Sequence, residues 1–68
     1  MRTIESIACA SKYDILDALI EDGYEIASVD AYDVAATIQY AARVGALVWT
    51  SEHIICTLHG RPLHLVRA

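Results

Sequence analysis

The chain has no phenylalanine, one proline, one tryptophan and three glycines. So few breakers leave little room for loops and favour regular elements. No apolar run approaches the ~18 residues of a membrane-spanning helix, so neither a transmembrane segment nor a signal peptide is expected. The sequence therefore predicts a cytoplasmic protein with no membrane partner. Cysteine is scarce: Cys9 and Cys56 are the two in the chain, with no Cys-x-x-Cys pair. Both stand in apolar company, which predicts buried free thiols, since free cysteine behaves as a small hydrophobe.

Basic residues are also few. Lys and Arg total 5 against 9 Asp and Glu, for a net charge of −4. That balance speaks against a phosphate-gripping surface, which draws on clustered Lys and Arg. Hydrophobic residues make up 56% of the 68 positions, and charged residues 21%. A chain this short removes only about 60% of its unfolded surface from water. Such an excess of apolar side chains is hard to bury alone, so a homodimer or a permanent partner is expected.

Gly23, Gly45, Gly60 and Pro62 divide one domain, residues 1–68, into three parts. In the first, Ser11 is a candidate N-cap, and Ile15, Leu16, Leu19 and Ile20 recur at helical spacing up to a C-terminal Gly23. Thr3 offers an earlier cap, which predicts one helix of nearly 20 residues. In the second, Asp30 and Asp33 form a capping-box-like pair. The helix from Ala31 to about Val44 is apolar nearly all round, the mark of a buried helix.

The third part reads as three strands, 46–50, 53–59 and 62–67, rich in Val, Ile, Leu, Thr and Trp. Ser51-Glu52 and Gly60-Arg61 are the candidate two-residue turns, the latter of type II′. Pairing about them puts Leu47, Trp49, Ile54, Cys56, Leu58, Leu63 and Leu65 on one core-facing side. Leu47 and Trp49 should then be buried against the second helix. The fold class is thus α+β: two helical segments packed on one face of a three-stranded antiparallel meander. The opposite face carries Val48, Ile55 and Val66 in one row. An uncovered row of that kind marks a dimer interface.

No chemistry-bearing constellation emerges. His53, His59 and His64 share the outer face, with His59 and His64 as diagonal neighbours. His53 and His59 lie about 20 Å apart along one strand, too far for a common metal. Polar surface histidines are the plainer reading. Ser51-Glu52-His53 is a turn rather than a triad, and no Gly-rich phosphate loop exists. Neither catalytic residues nor a cofactor are expected.

Charge is segregated instead. Asp14, Asp17, Glu21, Asp22, Glu25, Asp30 and Asp33 occur between residues 13 and 42 without one Lys or Arg. Asp14, Asp17 and Glu21 fall at i, i+3 and i+7 and line one helix side. This is either a solvated face or an acidic surface that docks on a basic partner.

Two resemblances follow. Arg43-Val44-Gly45-Ala46-Leu47-Val48 and the hairpin from Ile54 to Val66 resemble the ending of winged-helix repressors over residues 34–66. That likeness implies a dimeric DNA-binding regulator. It departs where the family needs two helices between Gly23 and Gly45, and its recognition helix would hold only Arg43 as a cation. Ser28-Val29-Asp30-Ala31-Tyr32-Asp33, in a short acidic α+β chain, resembles small phage-encoded inhibitors of the anti-CRISPR type. That resemblance implies a non-enzymatic inhibitor acting in a host cytoplasm, with Asp14, Asp17, Glu21 and Asp22 contacting a basic protein partner.

Overall fold

A computed structural model describes residues 3–60 and 62–67. Three helices, α1 (Ile4–Cys9), α2 (Lys12–Glu21) and α3 (Ala31–Arg43), precede three strands, β1 (Leu47–Trp49), β2 (His53–Cys56) and β3 (Leu63–Val66). The strands form one antiparallel sheet in the order β1-β2-β3, so the α+β class and the meander are as the sequence indicates.

The first helical segment is two helices rather than one. Thr3 Oγ1 accepts from the Ser6 amide at 3.1 Å, and Ser11 Oγ from the Asp14 amide at 3.1 Å. Ala10 and Ser11 both have extended backbones, which ends one helix and starts the next. The break orphans carbonyls at the end of α1. Two side chains of α3 take them up: Gln39 Nε2 donates to the Ala10 carbonyl, and Arg43 Nε donates to the Ala8 carbonyl at 3.4 Å.

Glycine ends the other two helices, as anticipated. Gly23 has φ +87°, and the Gly23 and Tyr24 amides donate to the Ile20 and Leu19 carbonyls. Gly45, with φ +74°, repeats the pattern through Ala42 and Ala41. Both are Schellman ends, whose left-handed residue favours glycine. At the start of α3 the expected capping box is not formed. Asp30 already has a helical backbone, and its side chain makes no capping bond. An N-cap side chain reaches the third amide from an extended backbone, which Asp30 lacks.

α3 is the central element, packed by α1, α2 and the sheet. Ala35, Ile38, Ala41 and Ala42 are buried, and the alanines let neighbouring backbones approach. The helix is not covered all round: Tyr32, Asp33, Tyr40 and Arg43 face solvent. Leu47, Ile54 and Cys56 meet this core from the inner sheet face, with Trp49, Leu63 and Leu65 half-buried beside them.

The β1–β2 register is the expected one, with Trp49 opposite Ile54 and Leu47 opposite Cys56. The β2–β3 register is displaced by two residues. A two-residue Gly60-Arg61 turn would set Leu58 against Leu63, whereas Cys56 stands there. Such a turn needs an amide donor at position 62 to close, and Pro62 has none. The connection therefore lengthens, with Gly60 at φ +79°, and Thr57 bonds back to the Ala46 carbonyl at 2.9 Å. Arg61 itself lies outside the described residues. A two-residue shift preserves the faces but changes the neighbours on them.

Candidate functional site

The acidic side of α2 is where its spacing places it. Asp14, Asp17 and Glu21 are all exposed along the helix. Tyr13, four residues before Asp17 and so on the same side, is 67% exposed. Its ring meets Tyr32 edge-on, with centroids 5.8 Å apart and planes at 83°. Tyr32 stands in the first turn of α3, followed by exposed Asp33, and exposed Asp30 lies two residues before it. An aromatic pair thus heads the acidic stripe and joins it to the start of α3. Neither tyrosine stands out in the sequence, although each lies off the apolar stripe of its helix beside a carboxylate.

Asp22 plays a different part. It is half-buried, and its carboxylate accepts from the indole Nε1 of Trp49 at 2.8 Å. This ties the end of α2 to β1. Trp49 therefore packs at the α2 terminus rather than deep against α3, with Tyr24 edge-on to it at 6.3 Å. Tyr24 is buried, and its hydroxyl donates to the Thr50 carbonyl at 3.2 Å. Burial pushes the Tyr24 phenol up from its ordinary value, the Asp22 charge pushes the same way, and Arg67 opposes both.

The outer sheet face departs from expectation in its neighbours. Val48 stands opposite Ile55, but Ile55 stands opposite His64, and Val66 opposite His53. The continuous row Val48–Ile55–Val66 is thereby broken by His64, a direct result of the Pro62 shift. Val48 is 47% and Val66 68% exposed, with Ile55 half-buried between. The histidines are re-sorted too. His53 and His64 are the neighbours, with ring centroids 5.5 Å apart. His59 lies instead in the β2–β3 connection, where it and Leu58 border an open groove of about 480 Å³ against Tyr40 of α3 and Val44 just past its end.

Cys56 is buried, and burial raises its thiol pKa. Cys9 is exposed, contrary to expectation, because α1 turns Ile7 inward and Cys9 away. Among the described residues, no three His, Cys, Asp or Glu side chains are grouped to hold a metal ion, and no helix is long and apolar enough to cross a membrane. Comparison with protein-family models, curated proteins and solved structures gave no match.

Proposed function

We propose that this chain is a non-enzymatic protein-binding module that docks its acidic α2 face on a Lys/Arg-rich surface of a larger partner and inhibits or regulates it. The observation that carries this reading is the exposed Tyr13–Tyr32 pair at the head of the Asp14, Asp17 and Glu21 stripe. Tyrosine supplies contact area at small entropic cost and is enriched at binding hot spots. Carboxylates around it steer a basic partner and fix its orientation. A phage-encoded inhibitor acting in a host cytoplasm is the specific form of this proposal, and competition with nucleic acid for a basic groove is its simplest mode of action.

The test compares wild type with an Asp14→Lys, Asp17→Lys double variant as baits for bacterial lysate, alongside their melting curves. The expected result is a partner retained by wild type, released by moderate salt and absent from the variant, with both chains folded. Equal capture by the two baits would overturn the acidic-face assignment. A gel-retardation assay with duplex DNA at low salt provides the contrast. A tight, salt-steep complex there would replace this proposal with the winged-helix regulator.

A further inference from the structure

Strands β1, β2 and β3 carry no Asp, Glu, Lys or Arg. On their outer face, His53 and His64 sit diagonally across neighbouring strands, since His53 pairs with Val66 and His64 with Ile55. Their ring centroids are 5.5 Å apart, with planes at 72°. Two imidazoles sharing one tetrahedral zinc ion, at Zn–N bonds of about 2.0–2.1 Å, hold their ring centres about 5 Å apart. The pair already has the spacing of two ligands on one ion. Zinc takes four ligands at a closed site, and no third His, Cys, Asp or Glu joins these two among the described residues.

We propose that His53 and His64 are one half of a zinc-class cation site, completed by the same two residues of a second copy across a two-fold axis. Coordination number selects that occupant: two imidazoles leave half of a tetrahedral shell open, and a second copy supplies the same two, provided charge allows it to approach. Each chain carries a net −4, so copies repel one another through their acidic helical sides. The uncharged sheet face opposes approach least, and a dication held between two copies offsets the remaining repulsion. Four imidazoles about the axis supply the all-nitrogen tetrahedron, and Val48, Ile55 and Val66 are covered in the same contact.

The apolar part of the contact is too small to act alone. Three strands about 4.8 Å apart and three or four residues long span only about 200 Å², against roughly 800 Å² per partner in a stable interface. Association therefore depends on the metal, and the metal-free chain is a monomer.

The test uses the full chain without an affinity tag, in sedimentation velocity at micromolar concentration. Chelator is compared with half an equivalent of zinc per chain, and cobalt(II) absorption reports the coordination geometry. The expected result is a monomer in chelator, and a dimer holding one zinc per two chains with a tetrahedral cobalt spectrum. His64 is exposed, so His64→Ala should fold normally, as circular dichroism will show. It should lose the dimer and with it zinc binding, since two of the four imidazoles are gone. His59→Ala and Cys9→Ser should change neither. A dimer in chelator, a monomer at saturating zinc, one zinc per chain, or a His64→Ala dimer as stable as wild type would each overturn the proposal, as would loss of the dimer in the His59 or Cys9 variant.

Discussion

The helical side and the sheet side of this molecule divide its surface chemistry between them. From Tyr13 to Ala42 every ionised side chain is a carboxylate, and Asp14, Asp17 and Glu21 stand in line on α2. The three strands hold no ionised side chain among Asp, Glu, Lys and Arg, and expose Val48 and Val66 instead. A charged face acts over the Debye length, about 8–10 Å in physiological salt, and selects a partner of opposite sign. An uncharged face acts only on contact, and selects by shape and by specific ligation. The two sides are therefore built for different neighbours, and their separation lets each be altered without the other.

The largest effect comes from the seam that both sides share. Ile54 is fully buried between the sheet and the helices. Ile54→Ala should destabilise the fold by about 2–5 kcal/mol, a large part of what a domain of this size possesses, and both surfaces should be lost together. A urea titration in which the variant kept the wild-type midpoint would show that the two sides are not braced by a common core.

A smaller loss follows from cutting the tie between the sides at one edge. Trp49→Phe keeps an aromatic ring against Tyr24 but removes the indole donor, leaving the half-buried Asp22 carboxylate without that bond. The expected cost is about 1–3 kcal/mol. An unchanged melting temperature would mean that this bond holds nothing together.

Alkali provides a milder probe of the same edge. The Tyr24 phenol and the Cys56 thiol both have pKa values raised above their ordinary 10.0 and 9.0. The folded state thus holds these two protons more tightly than the unfolded chain does. Their contribution is complete at neutral pH and is lost progressively above pH 9, first through Cys56 and then through Tyr24. Tyr24→Phe should lose about 1 kcal/mol at neutral pH with its hydroxyl bond, yet decline less steeply above pH 10. Parallel alkaline profiles for variant and wild type would refute the assignment.

The smallest effect on stability should accompany the largest on charge. Asp17→Lys lies on the exposed side of α2 and should change stability by no more than about 0.5 kcal/mol. Thermal melts with and without salt check this. A loss above 2 kcal/mol would place Asp17 in the fold rather than on a docking face.

Where the chemistry is local, it is legible in the sequence. Ser11 caps α2, Gly23 and Gly45 end helices, and Ser51-Glu52 sets the first strand pair. The inner sheet face survived even a register shift, because the shift was by two. The features that local sequence does not show are held by distant partners. The break at Ala10 is stabilised by Gln39 and Arg43, 29 and 35 residues away from the carbonyls they meet. Asp22 reads as one more carboxylate until Trp49, 27 residues on, donates to it. The Tyr13–Tyr32 contact likewise exists only once α2 and α3 are packed. Pro62 is the exception. Its missing amide was legible and rules out the tight turn, and with it the unbroken apolar row.

The side chains that α3 extends to the end of α1 also make that helix dependent on the rest of the molecule. Six residues are too few to persist as a helix in water without tertiary support. Residues 4–9 are therefore helical only while Gln39, Arg43 and the packing of α1 on α3 hold them in place. The amides of α1 should exchange with deuterium well before those of α3, through an opening that leaves the rest of the molecule folded. In the cell, a protease that samples such openings would find its earliest cleavage points on either side of Ala10, while the acidic stripe and the paired histidines remained intact.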